Sequence, residues 1–113
     1  MKYALLICAP VDGAELSPSE TADDPRFGSY IEEVRRRDLV RGGARLRPAS
    51  DATTVRVRGD EVLLTDGPFA ESKEYLAGVD FIEVADLDEA ISLASRHPVA
   101  VGGGSVEVRP VWE

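Results

Sequence analysis

Apolar and polar residues alternate along much of the chain with the two-residue period of strands, and two segments change to the helical period. Residues 2–9 predict a first strand that is apolar on both faces, as expected of a central strand covered on two sides. Residues 10–24 are polar and predict a long loop, either a lid or a disordered segment. Asp24 followed by Pro25 is typical of a helix N-cap and first turn, so residues 25–38 predict helix one.

A strand and a hairpin follow the first helix. Residues 39–47 predict a strand that is interrupted at Gly42 and Gly43, a pair typical of a bulge or bend. Residues 53–58 and 61–65 alternate on either side of a Gly-Asp pair, which predicts a hairpin with a two-residue turn.

A second strand–helix–strand unit completes the pattern. Residues 74–85 predict a strand, and Asp86 begins a segment of helical spacing whose start is close to a capping box. This second helix is expected to end near His97, where cationic residues suit a helix C-terminus and the following proline stops the helix. Residues 99–104 predict a loose, glycine-rich connection, and residues 105–112 predict the last strand.

The order β-α-β, hairpin, β-α-β predicts an α+β fold of the ferredoxin-like type, with an antiparallel sheet and two helices on one face. The other face of such a sheet must be covered or polar, yet several strands carry apolar residues on both faces. We therefore expect one domain spanning residues 1–113 and a homodimer whose sheets stack face to face.

Composition narrows the classes of function. The formal net charge of −8 argues against nucleic-acid binding, which requires a basic face. The apolar runs are too short to cross a bilayer or to form a signal peptide, so we expect a cytoplasmic protein with no membrane contact. The single cysteine, Cys8, excludes an intramolecular disulfide and is expected to be a small buried hydrophobe. Neither metal-ligand nor nucleotide-phosphate spacing occurs, so we expect no metal and no other cofactor.

Three charged residues are candidates for catalysis. Glu83 shares a strand face with Val79 and Phe81, where an ionised carboxylate is costly unless it is paired. Arg109 on the last strand is its expected partner in a dimer cleft, and Asp66, just after the hairpin, is the third candidate. The alternative for the Glu83–Arg109 pair is a structural ion pair or a dimer contact without a catalytic role.

Phe69 and Lys73 are candidates for ligand binding. Phe69 follows a turn that Asp-Gly-Pro chemistry makes rigid, so we expect it to be at least partly buried near the cleft. Lys73 could reach an anionic ligand close to Asp66 and Phe69, and the alternative is an exposed lysine. The single histidine, His97, lies at a helix end before Pro98, which predicts a structural cap rather than a catalytic base.

The segment TDGPFAESKE, residues 65–74, resembles the signature of the DGPF-domain proteins, a branch of the YCII-related family. The segments MKYALLI, ATTVRVR, LDEAISLASRHP and VEVRPV are also similar to that family. The resemblance implies a ferredoxin-like α+β fold that dimerises into an α/β barrel, and it implies no settled activity. YCII-related proteins are discussed as using a His-Asp pair whose histidine lies in the N-terminal half, where this sequence has no histidine.

Two functions are compatible with these expectations. The first is a small, cofactor-free dimeric α/β-barrel protein that binds an organic small molecule, with acid–base isomerase or lyase chemistry if it is an enzyme. The alternative is a non-catalytic accessory or regulatory protein, since DGPF proteins look like companions of alternative sigma factors in bacteria. A deep pocket holding Asp66, Glu83 or Arg109 would favour the first function, and a large exposed apolar patch would favour the second.

Overall fold

The computed structural model describes residues 1–12, 23–67 and 73–113. These residues form six strands and three helices, with one turn of 3-10 helix at Ala49–Asp51. In chain order the elements are β1 (Lys2–Pro10), α1 (Pro25–Arg36), β2 (Val40–Arg45), β3 (Thr53–Arg58), β4 (Glu61–Asp66), β5 (Glu74–Glu83), α2 (Leu87–Ser95), α3 (Pro98–Val101) and β6 (Ser105–Pro110). The predicted strands and the first two helices are thus confirmed. The loose connection predicted for residues 99–104 is wrong in its first part, where α3 forms a short helix.

Four strands form one antiparallel sheet in the order β2-β5-β1-β6, while β3 and β4 form a separate two-stranded sheet. Leu5, in the middle of β1, lies opposite Asp80 on β5 and Val108 on β6. The chain is therefore a mixed α+β protein with antiparallel sheets, which is compatible with the predicted ferredoxin-like fold.

The start of α1 follows from its N-terminal sequence. The side chain of Asp24 accepts a hydrogen bond from the backbone N–H of Arg26 at 2.9 Å, and Pro25 occupies a position where its missing N–H costs nothing. Tyr30 and Val34, one turn apart, are the buried residues of this helix. The helix therefore presents one apolar stripe to the sheet.

The start of α2 uses paired caps. Asp86 accepts a hydrogen bond from the backbone N–H of Glu89 at 2.9 Å, and the Glu89 carboxylate accepts one from the backbone N–H of Ala85 at 2.8 Å. This arrangement resembles a capping box shifted by one residue, in agreement with the predicted helix start. Below it, Ala90 and Leu93 are fully buried against the sheet.

The core lies between the helices and one face of the four-stranded sheet. Its members come from β1, α1, the segment before β2, β5, the segment after β5, and α2: Tyr3, Leu5, Tyr30, Val34, Leu39, Ile82, Val84, Ala90, Leu93 and Ala94. Val106 and Val108 of β6 pack against this cluster.

The opposite face of the same sheet, here called the open face, also carries apolar side chains. Because side chains alternate along a strand, Ala4 and Leu6 of β1 share this face with their partners Phe81 and Val79 of β5. Phe81 is 37% exposed. Cys8 was expected to be buried but is only half-buried on this face. Its partial burial is the main cause that raises the pKa of the thiol.

The β3–β4 hairpin is exposed along almost its whole length. Its turn uses Gly59 with φ of +57°, a conformation that glycine adopts without steric cost. The aliphatic residues of one hairpin face are between 59% and 68% exposed: Val55, Val57, Val62 and Leu64. At its base, the backbone N–H of Gly67 donates to the carbonyl of Ala52 at 2.7 Å. The hairpin therefore projects from the four-stranded body with an uncovered apolar face.

Candidate functional site

A cavity of about 440 Å³ lies between the helices and the end of the sheet where β1 terminates. Its volume falls within the range of roughly 300–1,000 Å³ that is typical of small-molecule sites. The lining residues come from β1, the N-terminal turns of α1, the end of β2, the first half of β5 and the start of α3. They include Ile7, Arg26, Phe27, Tyr30, Ile31, Arg45, Pro48, Tyr75, Gly78, Asp80, His97, Val99 and Gly102.

Tyr30 places an unsatisfied hydroxyl in the wall of this cavity. The residue is 7% exposed, and its hydroxyl has no hydrogen-bond partner among the described residues. Burial, followed by the nearby charges of Asp80 and Glu33, raises the pKa of this phenol well above its usual value. A buried polar atom without a partner costs roughly 1–3 kcal/mol, so a polar partner would stabilise this hydroxyl.

Asp80 contributes a second group of the same kind. Its side chain is half-buried on the core side of β5, and burial alone raises the pKa of the carboxyl. The Asp80 side chain forms no hydrogen bond or ion pair within residues 1–12, 23–67 and 73–113. An ion pair would instead lower the pKa of the carboxyl. Asp80 is therefore a proton donor or acceptor that is held without a counter-charge.

Gly43 makes room for Asp80. A Cβ atom at this position would lie 2.6 Å from Asp80 Oδ1, and the residue has φ of +146°. The pairing of β2 with β5 shifts between Val40 and Gly43, which confirms the bulge predicted at the two glycines. The bulge thus brings backbone without a side chain against the Asp80 carboxyl.

His97 forms the inner wall of the cavity. Its Nδ1 accepts a hydrogen bond from the backbone N–H of Val99 at 3.1 Å, and its ring packs edge-on against Tyr30 and Phe27 at centroid distances of 4.7 and 6.2 Å. Burial lowers its pKa to about 4, so the ring is neutral at pH 7 with its proton on Nε2.

The predicted role of His97 as a cap is confirmed, but its details differ from expectation. His97 caps the start of α3, whereas the C-cap of α2 is Arg96. The expected stabilisation of a helix C-terminus by a charged His97 is wrong, because burial keeps the imidazole neutral.

Arg26 and Arg45 bring positive charge to the lining of the cavity. Arg26 donates from Nε and Nη2 to the two carboxylate oxygens of Asp24, at 3.2 and 2.8 Å. These bonds lower the pKa of the Asp24 carboxyl. The pair orients the Arg26 guanidinium at the first turn of α1.

The residues that the sequence suggested as catalytic do not line this cavity. Asp66 ends β4 and is exposed, beyond the core of the protein. Glu83 is half-buried on the open face and forms an ion pair with the Met1 amino group at 3.0 Å. Arg109 is exposed on the same face and forms an ion pair with Glu107. Glu83 and Arg109, expected to pair with each other, therefore have separate partners within one protomer.

Of the two suggested ligand-binding residues, the structure describes Lys73, which does not line the cavity. Lys73 is exposed just before β5, where its carbonyl accepts a hydrogen bond from the backbone N–H of Val11 at 2.9 Å. Phe69 lies outside the described residues, so its expected burial stays a prediction.

Sequence reasoning missed Tyr30 and Asp80. A signal for Asp80 was present, because it has the same strand parity as Ile82 and therefore belongs to the core-facing side of β5. A single carboxyl on the core-facing side of a strand, such as Asp80, is a better site candidate than a carboxyl on the opposite side, such as Glu83. Tyr30 gave no such signal, since a tyrosine in the apolar stripe of a helix is usually a core residue.

Two classes of feature are not found in the described part of the chain. No group of three or more His, Cys, Asp or Glu side chains there is arranged to hold a metal ion. Nor is any helix among the described residues long and apolar enough to cross a membrane. The groups that the cavity does contain can bind and exchange protons with a polar ligand.

Comparison with known proteins places the chain in a family. An uncharacterized protein from Rhizobium meliloti (strain 1021) is 36% identical over 119 aligned positions, which cover 98% of this chain and 92% of that protein. The sequence profile of the YCII-related domain matches residues 1–113, the whole chain. The protein that carries this cavity therefore belongs to the YCII-related family.

Proposed function

We propose that the protein binds a small organic molecule in the cavity between α1, α3 and the sheet, and that Asp80 exchanges a proton with it. The observation that carries this proposal is that Tyr30 and Asp80, which line the same cavity, each have a polar group without a partner among the described residues: a buried hydroxyl and a carboxyl. Protein interiors rarely leave such groups without partners, and a bound ligand would supply one.

The chemistry that suits these groups is general acid–base catalysis of the isomerase or lyase type. A carboxyl whose pKa is raised by burial holds its proton closer to neutral pH, which improves its efficiency as a general acid or base. Tyr30 would orient the reacting oxygen, and the neutral His97 would keep the wall of the cavity uncharged. None of these steps uses a metal or an organic cofactor.

A screen for ligand-dependent thermal stabilisation tests the binding step. A collection of small organic molecules would be added to the full chain, and a ligand at 100 times its Kd should stabilise the fold by about 2.7 kcal/mol. We expect Tyr30→Phe and Asp80→Asn to reduce the stabilisation by the same compounds, while Tyr3→Phe, a buried tyrosine outside the cavity, should not. Compounds that stabilise all four proteins equally would show that binding occurs elsewhere.

Proton exchange at the ligand tests the chemical step. Bound compounds with an acidic C–H would be incubated in D₂O and followed by proton NMR. Exchange that is catalysed by the wild-type protein and lost in Asp80→Asn, at a ligand concentration that saturates both proteins, would support acid–base catalysis. Exchange that is unchanged in Asp80→Asn would remove Asp80 from the mechanism.

We also propose that the protein belongs to the DGPF branch of its family and works as a homodimer of the α/β-barrel type. Support comes from the open face, where Leu6, Val79 and Phe81 form an apolar surface on a sheet whose other face is covered by helices. Stacking of two such faces would cover both surfaces at once.

A second candidate function is that of a non-catalytic accessory protein, such as a companion of an alternative sigma factor. The observation that favours it is the exposed aliphatic face of the β3–β4 hairpin, since contiguous apolar patches often mark protein-binding surfaces. Val57→Lys and Val62→Lys would disrupt such a contact. If these changes abolished a physiological role while ligand binding in the cavity stayed intact, the accessory function would be preferred.

A further inference from the structure

The polar groups of the cavity lie on two levels. On α1, Arg26 precedes Tyr30 by four residues, which places their backbones about 6 Å apart along the helix axis. On the sheet, Arg45 lies opposite Gly78, and Gly78 precedes Asp80 by two residues, a spacing of about 6.6 Å along the strand.

These two displacements run in the same direction. The first turn of α1 lies at the end of the sheet where β2 finishes and β5 begins, because Arg26 lines the same cavity as Arg45 and Tyr75. Arg26 and Arg45 therefore belong to an outer level of the cavity, and Tyr30 and Asp80 belong to an inner level. Aromatic and aliphatic side chains, including Phe27, Ile31 and Pro48, complete the wall.

The outer level is suited to an anion. Arg26 uses Nε and Nη2 to hold Asp24, and its Nη1 has no hydrogen-bond acceptor among the described residues. That nitrogen lies beside Gly102, another lining residue, at 3.8 Å from where a Cβ atom would stand. A carboxylate can accept a hydrogen bond from this remaining Arg26 donor, whereas an ammonium group has no acceptor to offer it.

The inner level is suited to a hydroxyl group. The buried Tyr30 hydroxyl and the Asp80 carboxyl both lack partners in the described part of the chain. One ligand hydroxyl can accept a hydrogen bond from Tyr30 and donate one to Asp80, which satisfies both groups with a single atom.

On the basis of the function proposed above, we infer that the ligand is an organic acid with an apolar, ring-sized body and a hydroxyl group about 6 Å from its carboxylate. Its carboxylate would lie near Arg26, and its hydroxyl between Tyr30 and Asp80. Two polar ends separated by a flat body fit the two levels of the cavity and its largely apolar wall.

Four matched probes test this inference by isothermal titration calorimetry on the full chain. 4-Hydroxybenzoate has both polar ends at about the required separation, benzoate lacks the hydroxyl, phenol lacks the carboxylate, and 4-hydroxybenzylamine replaces the anion with a cation. We expect 4-hydroxybenzoate to bind about tenfold or more tightly than each of the others, since each lacks a charge-assisted or buried hydrogen bond.

Variants assign each preference to one level of the cavity. Arg26→Gln should remove the preference for 4-hydroxybenzoate over phenol, and Tyr30→Phe should remove its preference over benzoate. The matched controls are Arg41→Gln and Tyr3→Phe, because neither residue lines the cavity. The guanidinium of Arg41 forms an ion pair with Asp38. Both controls should keep the wild-type order of affinities, and circular dichroism would confirm that every variant is folded.

The outcomes separate this inference from the proposal on which it rests. Tighter binding of the amine, equal binding of all four probes, or no binding of any would overturn the hydroxy-acid inference. If the broader screen still finds ligands whose binding requires Asp80, the proposed function stands without it. If that screen finds no such ligand, both the hydroxy-acid inference and the proposed function are rejected.

Discussion

At the scale of single residues, Gly43 leaves room for two close neighbours on β5, the Val79 carbonyl oxygen, 2.4 Å from where a Cβ atom would stand, and the Asp80 carboxyl. A Cβ atom at Gly43 would approach Asp80 Oδ1 at 2.6 Å, and its φ of +146° is unfavourable for other residues. We expect Gly43→Ala to destabilise the fold by about 1–3 kcal/mol in urea denaturation. Gly28 on α1 meets nothing within 4 Å, so Gly28→Ala should instead stabilise it by about 0.5–1 kcal/mol. Similar effects of the two changes would contradict the close approach.

His97 gives a second prediction at this scale, in the pH dependence of stability. Its pKa is about 4 in the folded protein and about 6.5 when unfolded, so only the unfolded chain gains a proton between these values. The stability that the neutral ring provides is therefore complete above pH 6.5 and is lost as the pH falls toward 4, by up to about 3 kcal/mol.

His97→Asn tests this dependence because asparagine can still cap Val99 but does not titrate. The difference in unfolding free energy between wild type and variant should shrink, or change sign, between pH 7 and pH 4. A difference that stays constant across this range would show that His97 does not titrate as described. Other groups titrate equally in both proteins, so the comparison isolates His97.

Asp80 and Glu83 show how far single residues could be interpreted from the sequence. Strand alternation places the two carboxylates on opposite faces of β5, as the structure shows. It could not show which face borders a cavity, because that depends on the helices and the β2 bulge, which are distant in sequence. Glu83 was preferred because its apolar neighbours on the strand are visible in the sequence, whereas the cavity that Tyr30 and Asp80 share is not.

At the scale of elements, a group of ion pairs connects α1 to α2. Glu33 on α1 accepts hydrogen bonds from Arg96, at 3.1 and 2.5 Å, and from Arg37, at 3.2 Å, and these bonds lower the pKa of its carboxyl. Arg37 also pairs with Glu89 of α2. The two helices are thus joined on their solvent side by charges of both signs.

Removing Glu33 from this group should have a modest effect. We expect Glu33→Gln to lower the unfolding free energy by about 0.5–1 kcal/mol, since partly exposed ion pairs are screened by solvent. The loss should become smaller in high salt. Glu32→Gln, on the exposed side of the same helix, is the control and should change the stability by less. Equal losses in the two variants at every salt concentration would argue against the inter-helix pairs.

The elements themselves were largely predictable, and the exception is informative. Asp24 and Pro25 set the start of α1 through local capping, which depends only on adjacent residues. α3 was missed because it has four residues, too few for a period, and because a histidine before Pro98 was interpreted as the end of a helix. His97 and Pro98 instead begin a new helix, α3.

At the scale of the whole molecule, the open face of the sheet predicts self-association. We expect the wild-type protein to sediment as a dimer at micromolar concentration. Phe81→Lys should weaken association by more than about tenfold, because it buries a charge in a face-to-face sheet contact. Ile91→Lys, on the exposed side of α2, should leave the dimer intact. A stable wild-type monomer at this concentration would reject the dimer.

The base of the hairpin has a consequence for how the chain can be rebuilt. Ala52 and Gly67 are joined by a 2.7 Å backbone hydrogen bond, and the Thr54 hydroxyl donates to the Gly67 carbonyl at 2.8 Å. The two ends of residues 53–66 thus lie side by side, so that these residues form a cassette closed at its root. A cassette of this kind can be exchanged for a short turn, or for a foreign ribbon of different length, without changing the distance that the remaining chain must span.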